Sequence, residues 1–172
     1  MATKANDLCP ESILVEGREL YEATVLEGLN EKPRVVVESI FVRSVQMRAD
    51  DRGNKKLTAF AWPKNNSTWG KRSTKTGDYG WLPSPDPDHR TKLVAGERMP
   101  LGVGATKIAA LKSCLRAVLA RAERAMKFNY GADIEAEIAE EKALVERRIK
   151  VERRTASVRE EKPKSPIGSS AE

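Results

Sequence analysis

Apolar and polar side chains alternate most clearly between residues 34 and 48. Val35, Val37, Phe41, Val45 and Met47 fall mostly at even spacing, with Arg34, Glu38, Ser44, Gln46 and Arg48 on the alternate face. That period of two predicts a long strand with one buried side. Asp50-Asp51-Arg52-Gly53-Asn54 then supplies turn chemistry, because Gly and Asn tolerate positive φ, and alternation resumes over 55–62 up to Pro63. The two segments predict a β-hairpin whose arms and tip carry Arg43, Arg48, Arg52, Lys55 and Lys56. Upstream, Gly17 interrupts the stretch 11–29, whose apolar spacing fits neither period well, and a strand over 20–26 is the expectation.

Beyond Gly102 and Gly104 the period changes. Ile108, Leu111, Leu115, Val118, Leu119, Ala122 and Met126 recur at steps of three and four, with Lys112, Arg116 and Lys127 on the other side, which predicts an amphipathic helix. Asn129-Tyr130-Gly131 offers its stop. A second helix is expected to start at Asp133, whose carboxylate can accept the free amides of a first turn. Its acidic residues, Glu135, Glu137, Glu140 and Glu141, precede its basic ones, Arg147, Arg148, Lys150, Arg153 and Arg154, an order that suits the helix dipole. Ile134, Ile138, Val145, Ile149 and Ala156 make a stripe that repeats after eleven residues. So narrow a stripe needs a partner, which makes 133–156 a candidate coiled-coil seam for a homo-oligomer or for a protein partner.

Residues 63–100 are rich in Pro, Gly, Asn, Ser and Thr, and the closely spaced Pro83, Pro85 and Pro87 exclude helix and a regular central strand. A long loop with one short strand around 79–82 is expected. The whole reads as an α+β chain: a small antiparallel β-sheet of three or four strands packed by one amphipathic helix, followed by a long charged C-terminal helix and a disordered tail. The expected divisions are a disordered N-terminus over 1–10, a basic α+β domain over 11–130, the charged helix over 131–160 and the tail over 161–172.

Charge sharpens this picture. Of 172 residues, 31 are Lys or Arg and 25 Asp or Glu, a net charge of +6. Residues 1–33 carry three basic and seven acidic side chains, 34–82 ten and four, 83–130 nine and four, and 131–172 nine and ten. The excess of positive charge thus lies entirely between 34 and 130, which points to a polyanionic partner. No apolar run is long enough to span a bilayer, and residues 1–30 lack the basic start, apolar run and small-residue cleavage site of a secretory leader, so an intracellular place, cytoplasmic or nuclear, is expected.

Aromatic residues are scarce, yet all three tryptophans, Trp62, Trp69 and Trp81, fall within 60–81 together with Tyr79, Lys64, Lys71, Arg72 and Lys75. Unpaired bases stack on flat rings and phosphates need nearby cations, so this interleaving is what a single strand of RNA or DNA requires. Trp62, at a strand end, is expected in the core. Gly102-Val103-Gly104-Ala105-Thr106-Lys107 places two glycines, a hydroxyl and a lysine at a helix start, where free amides can hold one further phosphate. The spacing is not that of a nucleotide-hydrolase loop. Small residues after a glycine-basic entrance are similar to the last loop and helix of double-stranded RNA-binding domains, but that family's run of successive lysines is absent and no family is assigned.

Catalytic groups are hard to assemble. His89, the only histidine, lies in a Pro-Asp loop between Asp88 and Arg90, Cys114 falls on the inner side of the first helix, and Asp86 and Asp88 are ordinary turn residues. Cys9 and Cys114 make neither a disulfide framework nor a zinc site. The expectation is a non-catalytic nucleic-acid-binding protein without cofactor or metal. Arg43, Arg48, Arg52, Lys55, Lys56, Lys71, Arg72, Lys75 and Lys107 would meet phosphates, and Trp69, Tyr79 and Trp81 would stack bases. The rival expectation is an assembly or adaptor protein acting through its C-terminal helix.

Overall fold

The alternating segments form strands, and five of the strands form one curled sheet. A computed structural model describes residues 8–27, 32–50, 52–63, 67–71, 76–77, 79–83, 90–128 and 130–161. In chain order the strands are β1 (Glu19–Leu26), β2 (Arg34–Ala49), β3 (Lys55–Pro63), β4 (Ser67–Lys71), β5 (Tyr79–Pro83), β6 (Thr91–Val94) and β7 (Val103–Gly104). The helices α1 (Lys107–Phe128) and α2 (Ala132–Glu161) follow. Five strands pair antiparallel in the order β6-β3-β2-β1-β7, and β4 and β5 make a separate two-stranded ribbon. The chain is therefore α+β, with a larger sheet than the three or four strands expected. Residues 63–100, expected as a loop with one short strand around 79–82, supply three strands: β5 at the expected place, with Pro83 as its last residue, and β4 and β6 besides.

The β2–β3 turn is built as its residues dictate. Asp50 Oδ1 accepts from the amides of Arg52 at 2.9 Å and Asn54 at 2.8 Å, and the Gly53 amide donates to the Asp50 carbonyl at 2.9 Å. These bonds to the charged form hold the Asp50 carboxyl below its usual range, the Asn54 amide contributing most.

Strict alternation fails at one place in β2. Val42 lies opposite Ala61 and Ser44 opposite Phe60, so Arg43 is an extra residue without a counterpart in β3, a β-bulge. The bulge inverts the parity of everything after it. Val35, Val37 and Phe41 share a face with Ser44, Gln46 and Arg48, while Ile40 and Val42 share the other with Val45 and Met47. The single apolar face expected from 35 to 47 is thus two half-faces.

Each face has its own core. Leu20, Ile40, Val42, Ala59, Ala61 and Leu93 pack with Cys9, Ile13, Leu14 and Val103 on one side. Residues 1–7 of the expected disordered N-terminus lie outside the described residues, but Cys9 is buried, donating its amide to the Glu97 carbonyl at 2.7 Å and accepting from Gly96 at 2.9 Å. On the other side Ala23 packs with Ala110, Leu111 and Cys114 of α1 and with Val145 and Ile149 of α2. The buried side of α1 is richer in small residues than its apolar stripe implied: Ala110, Ser113 and Ala125 face inward while Leu119 and Met126 are exposed. The Ser113 hydroxyl accepts from the Gly102 amide at 3.1 Å, tying the helix to the loop before it.

The start of α2 falls one residue earlier than expected, so Asp133 stands inside the first turn, and the Glu135 amide donates to the Gly131 carbonyl at 3.3 Å. Ile138, Val145 and Ile149, the centre of the eleven-residue stripe, are buried within this chain against α1 and the sheet. No helix among the described residues is long and apolar enough to cross a membrane. The tail over 162–172 lies outside the described residues.

Candidate nucleic-acid interface

Four aromatic rings lie on the α1 side of the sheet, Tyr21 on β1, Phe41 on β2 and Phe60 and Trp62 on β3; Trp62 is buried and the other three are partly exposed. Tyr21 on β1 is opposite Ser39, two residues before Phe41 on β2; Phe41 is opposite Trp62, two residues after Phe60 on β3. Paired positions share a face, so Tyr21, Phe41 and Phe60 form a diagonal row, with diagonal neighbours about 7–8 Å apart. A cation stands over each. Lys107 Nζ is 5.8 Å from the Tyr21 centroid, the Arg43 guanidinium 4.9 Å from Phe41, and the Arg48 guanidinium 4.8 Å from Phe60. The negative face of each ring attracts the cation and orients it.

The bulge sets the Arg48 end of this row. Arg43 is the inserted residue, and only the parity change after it puts Arg48 on the side where Phe60 stands. Gln46 steadies Arg48: with its amide turned so that the oxygen faces the guanidinium, it accepts from Nε at 3.1 Å and Nη2 at 2.9 Å. Lys92 on β6 lies opposite Phe60 and is exposed, adding charge at the same end. The one acid in the row, Glu19 opposite Phe41, accepts from the Ser39 hydroxyl at 2.6 Å.

Not every expected residue joins this surface. Lys56, opposite Arg48, is ion-paired with Glu97 at 2.8 Å and Asp50 at 3.8 Å, which raise its pKa, the Glu97 hydrogen bond foremost, and partly balance its charge. Arg52 and Lys55 are exposed at the hairpin tip. Trp62 is in the core as expected, 2% exposed, with no hydrogen-bond partner for Nε1 among the described residues. In the ribbon, Trp69 is opposite Trp81 and Lys71 opposite Tyr79, which is 63% exposed. Arg72 and Lys75 lie outside the described residues, as do Lys64, Asp86, Asp88 and His89.

The glycines before α1 have a packing role. Gly102 has φ +83°, and a Cβ there would meet the Ala23 carbonyl oxygen at 2.6 Å. At Gly104 a Cβ would run into the Ala110 amide and Ala109, because the first turn of α1 presses directly on β7. Thr106 Oγ1 accepts from the Ala109 amide at 3.1 Å, so one of the first-turn amides is capped by the chain's own hydroxyl. Lys107 remains part of the interface through its place over Tyr21.

Tyr21, Phe41, Phe60 and Lys92 were not among the residues singled out from the sequence. Phe41 read as one more core residue of an alternating strand, and nothing in a single sequence marks a bulge. Comparisons of the chain with protein-family models, with curated proteins and with solved structures find no match.

Proposed function

We propose that this chain is an intracellular, non-catalytic protein that binds single-stranded RNA or DNA across β1, β2 and β3 and along the β4–β5 ribbon. The observation that carries the reading is the diagonal row of Tyr21, Phe41 and Phe60 with Lys107, Arg43 and Arg48 above the rings. Bases stack on guanidinium planes as well as on rings, and phosphates pair with the same cations. Arg48, Lys92, Arg52 and Lys55 extend the positive surface toward the hairpin tip, and the tryptophans and Tyr79 of the ribbon offer further stacking. In this reading α1 is the amphipathic brace of the sheet and α2 a charged arm. Titration of tryptophan fluorescence with unstructured oligonucleotides at two ionic strengths tests it. Binding that weakens steeply with salt is expected; absence of retention at low salt would reject the reading.

One observation favours a second reading, attachment to a protein partner or a second copy. Leu119, Met126, Phe128, Tyr130 and Ile134 leave apolar surface exposed around the α1–α2 turn, and the Phe128 and Tyr130 rings stack at 5.9 Å. Of the stripe first considered for this role, Ile138, Val145 and Ile149 are buried inside the chain, while Ile134 belongs to the exposed patch. Sedimentation of wild type against Met126→Glu separates the two readings: loss of an oligomer with no retention of oligonucleotide favours assembly.

A further inference from the structure

Glu27 follows β1, and Glu137 and Glu141 stand one turn apart on α2; one carboxylate oxygen of each lies within 4.8 Å of the other two. Glu141 is 2% exposed, an uncommon setting for a carboxylate. Its Oε1 is held by Arg121 Nη2 of α1, which also approaches Glu137 Oε1 at 3.6 Å. Its Oε2 is buried and meets no donor among the described residues. Arg121, Arg124 and Cys114 of α1 line a cavity of about 330 Å³ with Glu141. When all three acids are ionised, the Arg121 charge leaves two negative charges without a counter-charge at short range.

We propose that Glu27 and Glu141 share one proton, in a carboxyl–carboxylate hydrogen bond that latches the end of β1 onto α2 and is released when the proton leaves. The proton on Glu27 is the donor that Glu141 Oε2 lacks. No other atom need be added. The Glu27 carboxyl is accordingly raised above its usual range, first by its hydrogen bond to Glu141 and then by the charge of Glu137, with Arg121 acting in the opposite direction. Because the folded state holds this proton more tightly than the unfolded chain, the latch contributes fully below the ordinary carboxylate range. Its contribution is lost as pH rises through the folded value. Val145 and Ile149 keep the second half of α2 on the core, so release is confined to its first turns.

Thermal unfolding from pH 4 to pH 8 tests the latch. Glu27→Gln carries a permanent N–H donor and no charge. Its midpoint is expected to exceed that of wild type by about 2 °C or more at pH 8 and to match it near pH 4. Glu137→Gln removes the charge that is the second cause of the Glu27 shift but leaves the shared proton, so its profile should flatten only in part, and less than that of Glu27→Gln. Parallel profiles for wild type and Glu27→Gln would overturn the proposal. So would an equal flattening by Glu137→Gln, which would reduce the cluster to charge repulsion. A wild-type midpoint restored at pH 8 by millimolar Mg²⁺ or Ca²⁺ would also overturn it, since a cation would then supply the missing charge.

Discussion

The Arg43 guanidinium lies 4.9 Å from the centroid of the Phe41 ring, two residues back along the same strand. Alternation along a strand already places residues two apart on one face, and Arg43 is in addition the residue inserted by the bulge. An ordinary strand would send side chains 41 and 43 to one face and 44 and 48 to the other. Here the bulge gathers Phe41, Ser44, Gln46 and Arg48 on one side, next to Phe60. The meeting of Arg48 with Phe60 is therefore a product of one irregularity in β2.

Arg48 is exposed and its removal should leave the fold intact. Arg48→Ala is expected to weaken binding of an unstructured oligonucleotide and to reduce the slope of log K against log salt by about 0.7, the share of one phosphate contact on a single strand. Filter binding at four or five salt concentrations measures it. An unchanged slope would take Arg48 out of the interface.

For the ribbon, Trp69→Ala and Trp81→Ala should each weaken binding by about 1–3 kcal/mol, the range for one stacked base. Circular dichroism and the unfolding midpoint should stay at their wild-type values. Reduced stability with undiminished affinity would instead make these residues anchors of the ribbon.

Gly104→Ala is expected to destabilise the chain by about 1–3 kcal/mol, because the added methyl group meets backbone rather than a movable side chain. Urea unfolding reads this directly. If the variant is as stable as wild type, α1 does not press on β7 in the way described.

The hairpin turn should carry an acid-side pH dependence. The Asp50 carboxyl is held below its usual range, so its contribution is present above the unfolded value and is lost as pH falls through the folded one. Amide resonances of Arg52 and Asn54 should shift together in that window, and Asp50→Asn should abolish the shift. This is opposite in sign to the Glu27 latch, whose contribution declines as pH rises.

Local pattern was legible where one physical cause acted alone. The hairpin of β2 and β3, the helix after Gly104, the burial of Trp62 and the turn chemistry of Asp50 to Asn54 follow from alternation, helical spacing and the backbone freedom of particular residues. Of the ribbon, β5 was legible around 79–82 but β4 was not, since its five residues include a glycine, and β7 is too short to leave a periodic trace. Leu119 and Met126 were read as buried because helical spacing places them on the apolar side. In the fold, small residues take the inward positions so that α1 can approach the sheet closely, and those two side chains are left outside.

The order of residues was enough to settle the segments and the concentration of positive charge between 34 and 130, since both depend on near neighbours in the chain. Which cations meet which rings was settled only by packing. Lys107 reaches Tyr21 across 86 positions, Arg48 reaches Phe60 through a bulge, and Lys56 is paired with Glu97. The centre of the stripe on α2, Ile138, Val145 and Ile149, likewise packs within the chain. Distances of that kind are set by strand register and by the close approach of a helix to a sheet, quantities to which no local periodicity refers.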